Sequence, residues 1–129
     1  MPDRSPDPEP RVAADLSGLV RGAVFRAAPD PTVGVEQAGR RPLVVVASTS
    51  YLEQVTNLVL AIPLTTTRRG WPNHVPLTGQ TGLEVDCYAM TEQVRAISRA
   101  RITKVLGVVD TETSDAIDEW LRDFLDPRN

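Results

Sequence analysis

Leu43-Val44-Val45-Val46-Ala47 stands directly behind Arg41-Pro42. Five continuous apolar residues, three of them β-branched, are too few for a helix and leave no solvated face. They predict a strand buried on both sides. Such a strand needs neighbours, and the chain supplies them. Residues 57–64 form a second apolar run, and residues 23–28 a shorter one that Pro29-Asp30-Pro31 stops. Residues 74–77 alternate, residues 79–82 turn, and residues 83–90 continue the sheet. Short strands joined by glycine- and proline-rich turns predict a small, coiled antiparallel sheet or barrel.

The last element follows a different period. Asp110 is placed to cap a helix whose first turn carries Glu112 and Asp115, acids suited to the positive end of its dipole. Ile117, Trp120, Leu121, Phe124 and Leu125 then recur as one apolar stripe, and Asp126-Pro127 ends the helix. Strands first and one packed helix last make an α+β fold.

At 129 residues the chain is one domain. Residues 1–19 form a tail that alternates proline with charge over its first ten positions and predicts disorder, which leaves residues 20–129 as the domain. No segment carries a signal core or reaches membrane-spanning length, so a cytoplasmic protein is expected. Cys87 is the only cysteine and His74 the only histidine. That excludes a disulfide framework, a two-histidine ribonuclease mechanism and a zinc site within one chain. Cys87 is expected to be a small buried hydrophobe.

The net charge of −3 is unevenly placed. Residues 20–109 carry +4, while residues 110–129 carry −5 and residues 1–19 carry −2. A mildly basic middle suits a phosphate backbone held at close range.

Four polar patches lean on the strand patterns. Residues 34–41 have the glycine separation of a phosphate-binding P-loop, but Arg40-Arg41 replaces its Lys-Ser/Thr pair, Pro42 prevents a clean helix start and Glu36 repels phosphate. A nucleoside triphosphatase is thereby rejected. Arg41 is open to two roles, a cation for an anionic ligand or a structural ion pair with Glu36 or Asp86. Thr65-Thr66-Thr67, followed by Arg68-Arg69-Gly70, reads as a polar rim, although a lone β-branched threonine is equally a packing residue. Glu92-Gln93 with Arg95 reads as an alternating strand face. His74 is expected on the strand surface with at most a peripheral contact. Trp71 is either a base-stacking ring or a hydrophobic plug beside Pro72.

Taken in order, Gly34 to Pro42, Ile62 to Thr67, Asn73 to Leu77 and Thr91 to Ile97 resemble the MazF/PemK family of bacterial toxin endoribonucleases, over a span from about Arg21 to Leu125. The resemblance implies an SH3-like barrel with a C-terminal helix, and metal-independent, sequence-selective cleavage of single-stranded RNA without a cofactor. Arg41 and Thr65 match the family's catalytic residues. The same resemblance assigns RNA contacts to Glu36, Gln37, Thr66, Arg68, His74, Glu92, Gln93 and Arg95. It further implies a homodimer and a cognate antitoxin whose acidic, disordered segment occupies the RNA groove. The chain departs from the Kid-like branch, which has a histidine where Val35 stands and an arginine where Met90 stands. Two alternatives remain: a gyrase-poisoning toxin similar to CcdB, whose Trp-Gly-Ile ending is absent from Asp126-Pro127-Arg128-Asn129, and a non-catalytic binding module.

Overall fold

The computed structural model describes residues 14–29 and 41–128. Strands β1 (Ala23–Ala27), β2 (Pro42–Val45), β3 (Leu58–Thr65), β4 (His74–Pro76), β5 (Gly79–Gln80), β6 (Tyr88–Met90), β7 (Arg95–Ser98) and β8 (Ile102–Val109) form one curled antiparallel sheet. Its order is β4-β6-β3-β2-β1-β8-β5, with β7 pairing farther along β3. Helix α1 (Thr49–Gln54) joins β2 to β3, and α2 (Thr111–Leu125) follows β8. The expected α+β architecture, a half-barrel sheet closed by a C-terminal helix, is the one observed.

Alternation along β2 and β3 divides the interior into two clusters. Val44, Ile62 and Leu64 face one side, where Ile117, Trp120 and Leu121 of α2 cover them together with the buried Cys87. Phe25, Leu43, Val45 and Ala61 face the other, inside the curl, with Ile97, Ile102 and the α1 residues Tyr51 and Leu52. Leu16 and Leu19 also pack into this second cluster. The packed unit therefore begins ahead of residue 20. The part of the tail before residue 14 lies outside the described residues.

Pro63 explains a break in the sheet. The Val46 N–H donates to the Leu60 carbonyl, so Leu60 and Ile62 direct their backbone polar groups toward β2, and position 63 directs its own away. On that far side β7 covers 58–61 and β6 covers 64–65. The gap between them falls at Pro63, which has no N–H to leave unpaired. Thr91–Gln93 fill the gap as one 3-10 turn, so Glu92 and Gln93 lie on a turn and not on the alternating strand face expected of them.

Three other elements differ from expectation. The stretch 83–90 is strand only from Tyr88, and the turn over 79–82 contains β5. Gly79, at φ +108°, and Gly107 let β5 and β8 approach, since a Cβ at either would run into backbone of the other segment. On α2, Asp110 caps the Thr113 N–H at 2.9 Å as predicted. The apolar stripe is only partly used, however: Phe124 and Leu125 are exposed, past the residues that pack on the sheet.

Candidate active site

The register of β2 against β3 pairs Leu43 with Pro63 and Val45 with Ala61. Continued by two residues, it brings Arg41 opposite Thr65. Because odd-numbered residues of β3 direct their backbone groups away from β2, this is a non-hydrogen-bonded position, where Cα atoms stand about 4.5 Å apart and side chains meet closely. Both side chains fall on the face opposite α2. β6 extends the row, since Thr65 pairs with Tyr88 and Tyr88 with Pro76 of β4.

Arg41 is exposed. Among the described residues it makes no ion pair, and Asp86 does not close one with it. Thr65 is half-buried, and its hydroxyl oxygen accepts the Thr67 N–H at 3.1 Å. That bond turns the chain sharply after β3 and leaves the Thr65 hydroxyl proton directed elsewhere. Thr66 and Arg68 follow in the exposed loop, and the Arg69 guanidinium lies 5.7 Å from the centre of the Trp71 ring.

His74 is not a surface residue. It is buried, its ring lies 4.7 Å from that of Trp71, and its Nε2 is 3.1 Å from Glu92 Oε1. Its Nδ1 is buried without a hydrogen-bond partner among the described residues. A bare nitrogen tolerates that position better than an N–H does, so the fitting tautomer carries the proton on Nε2 and donates it to Glu92. Asn73 Nδ2 donates to Glu92 Oε1 at 2.8 Å and to the Thr91 hydroxyl, which donates back to the Asn73 carbonyl at 2.7 Å. This latch ties the start of β4 to the 3-10 turn. Burial raises the Glu92 pKa, but its own backbone N–H, His74 and Asn73 outweigh burial and hold the carboxyl below its ordinary value. Gln93 accepts from Arg95 Nη2 at 3.1 Å.

The structure thus brings Arg41 and Thr65 to one row, and His74, Glu92, Gln93 and Arg95 to the turn beside it. Glu36 and Gln37 lie outside the described residues. Tyr88, Asn73 and Thr91 enter the site only through strand register and the latch, which no local pattern announces. Among the described residues no group of three or more His, Cys, Asp or Glu side chains stands together to hold a metal. A cavity of about 540 Å³ along α2 is lined by Asp118, Leu121, Arg122, Leu125 and Asp126. Two acids beside one arginine make it a poor seat for phosphate.

A family model described as PemK-like, MazF-like toxin of type II toxin-antitoxin system matches residues 20–125. The chain is similar to the endoribonuclease toxin MazF of Escherichia coli strain K12, at 43% identity over 84 residues, 64% of this chain and 72% of that one. It is also similar to the endoribonuclease MazF9 of Mycobacterium tuberculosis, at 33% identity over 112 residues, 82% of this chain and 95% of that one. A solved mycobacterial endoribonuclease in complex with its cognate antitoxin superposes with a TM-score of 0.66 at 26% identity, covering 82% of this chain and 93% of its own.

Proposed function

The chain belongs to the PemK-like, MazF-like toxins of type II toxin–antitoxin systems, and on that footing we propose that it is a metal-independent endoribonuclease acting on single-stranded RNA. The observation that carries this reading is the β2–β3 register, which pairs Leu43 with Pro63 and, continued by two residues, sets Arg41 across from Thr65. In the reaction the ribose 2′-oxygen attacks the adjacent phosphorus and the bond to the 5′-oxygen breaks, leaving a 2′,3′-cyclic phosphate and a 5′-hydroxyl. The attacking hydroxyl loses its proton and the departing oxygen gains one. Negative charge builds on the phosphoryl oxygens between these events. A guanidinium fork at a strand mouth, with a hydroxyl donor across from it, is complementary to that charge. A guanidinium keeps its proton at ordinary pH, so Arg41 acts through charge and hydrogen bonds and not as a base.

Bases are read from the segments flanking this row, Glu36-Gln37 and Glu92-Gln93, with Thr66, Arg68 and Arg95 along the backbone path and His74 holding Glu92 in place. Unpaired bases expose the edges that such groups recognise. The basic middle of the chain also suits an acidic antitoxin segment in the same groove. The working form is a homodimer in the cytoplasm. Among the described residues no helix is long and apolar enough to cross a membrane. The relatives named above are endoribonucleases, which favours RNA cleavage over gyrase poisoning.

The test is incubation with a long single-stranded RNA in EDTA, followed by mapping of the ends. Cleavage leaving cyclic phosphate and 5′-hydroxyl ends is expected. Activity that chelator abolishes and magnesium restores would overturn the mechanism.

A further inference from the structure

Tyr88 occupies a position that packing does not account for. It opens β6, between Cys87 and Ala89, which both point into the cluster beneath α2. Tyr88 therefore points to the opposite face. There its cross-strand neighbours are Thr65 on one side and Pro76 on the other. The other described tyrosine, Tyr51, packs against the cluster inside the curl, but Tyr88 belongs to neither apolar cluster. It is half-buried, and its hydroxyl has no hydrogen-bond partner among the described residues. An aromatic ring is thus presented on the sheet face, one strand spacing of about 4.8 Å beyond the threonine proposed to hold the scissile phosphate.

We infer that Tyr88 stacks against a nucleobase next to the scissile phosphate and so contributes to binding of the RNA strand; this rests on the ribonuclease reading of Arg41 and Thr65. A single-stranded nucleic acid laid across the sheet places its phosphate on Arg41 and Thr65. The base that branches from that backbone then needs an apolar surface within one strand of the phosphate. Aromatic side chains on adjacent strands serve this purpose on other nucleic-acid-binding sheets, because every base has a π-face. The Pro76 ring supports the far edge of the platform. The Tyr88 ring carries the interaction, so the hydroxyl is dispensable for it.

The experiment measures equilibrium binding of a short deoxyadenosine oligomer, which lacks the attacking hydroxyl and is not cut, and of an abasic deoxyribose-phosphate oligomer of equal length. Tyr88→Leu is expected to weaken the base-bearing oligomer roughly tenfold or more and to leave the abasic one unchanged, whereas Tyr88→Phe matches wild type on both. Thermal melts verify folding, and Tyr88→Thr supplies the same comparison should the leucine variant not fold. Equal losses on the two oligomers would make Tyr88 a structural residue and overturn the proposal. Wild-type binding of both oligomers by the leucine variant would overturn it too. Wild-type protein that neither binds the oligomers nor cuts a long single-stranded RNA would overturn the ribonuclease reading itself.

Discussion

The Thr65 hydroxyl accepts the Thr67 N–H, so its own proton remains available for a phosphoryl oxygen. Valine has nearly the same shape and the same strand preference, which isolates the hydroxyl. Thr65→Val is expected to lower single-turnover RNA cleavage roughly 10²-fold with little change in melting temperature, and Thr65→Ser to retain most activity. His74 acts one step back. His74→Leu keeps bulk in a buried position but removes the Nε2 donor that holds Glu92. It is expected to cost about 1 kcal/mol in urea unfolding and to blur the cleavage-site preference, read from end mapping on one long RNA. The sequence alone left Arg41 between an ion pair and an anion site. It left Thr65 between packing and chemistry, because both questions are decided by what stands across a strand. Sequence sets His74 on the surface for the same reason: its partner, Glu92, is 18 residues away.

Element by element, legibility followed periodicity. The cap at Asp110 and the stripe through Ile117, Trp120 and Leu121 identify α2 directly. Helix α1 has only six residues, too few for a period to show, and lends just Tyr51 and Leu52 to the core, and its end is secured from afar. The Arg99 guanidinium donates to the carbonyls of Leu52, Val55 and Leu58, so a residue more than 40 positions later closes this helix and starts β3. The residues of the 3-10 turn at Thr91–Gln93 alternate as a strand does, but Pro63 on the neighbouring strand has no N–H to offer them and the sheet pairing breaks there. The β5–β8 pairing was hidden behind glycines that signal a turn. Its geometry makes a sharp prediction. Gly107→Ala sets a methyl group against the Gln80 carbonyl, which is backbone and cannot swing away. Destabilisation of roughly 1–3 kcal/mol is expected from chemical unfolding. A neutral result would mean that β5 is not held against β8 in solution.

For the whole molecule, the sheet and its two clusters separate a face that α2 covers from a face that carries Arg41 and Thr65. α2 carries five of the chain's 17 Asp and Glu and covers the face away from Arg41 and Thr65, which leaves their row on the less acidic side. Leu16 and Leu19 close the opposite cluster, which sets where the chain can be shortened. Removal of residues 1–13 is expected to leave the melting temperature and cleavage nearly unchanged, whereas Leu19→Ala in the full chain should cost about 2–5 kcal/mol, as burial of a leucine implies. The central claim concerns the guanidinium at the mouth of β2. Single-turnover cleavage of a short RNA by Arg41→Lys and Arg41→Ala tests it, with thermal melts and binding of a non-cleavable 2′-deoxy analogue measured alongside. Lysine keeps the charge but loses the planar fork that engages two oxygens at once. Both variants are predicted to fold, to bind the analogue and to cut roughly 10²- to 10³-fold more slowly than wild type. A folded lysine variant that cuts at the wild-type rate would contradict the account.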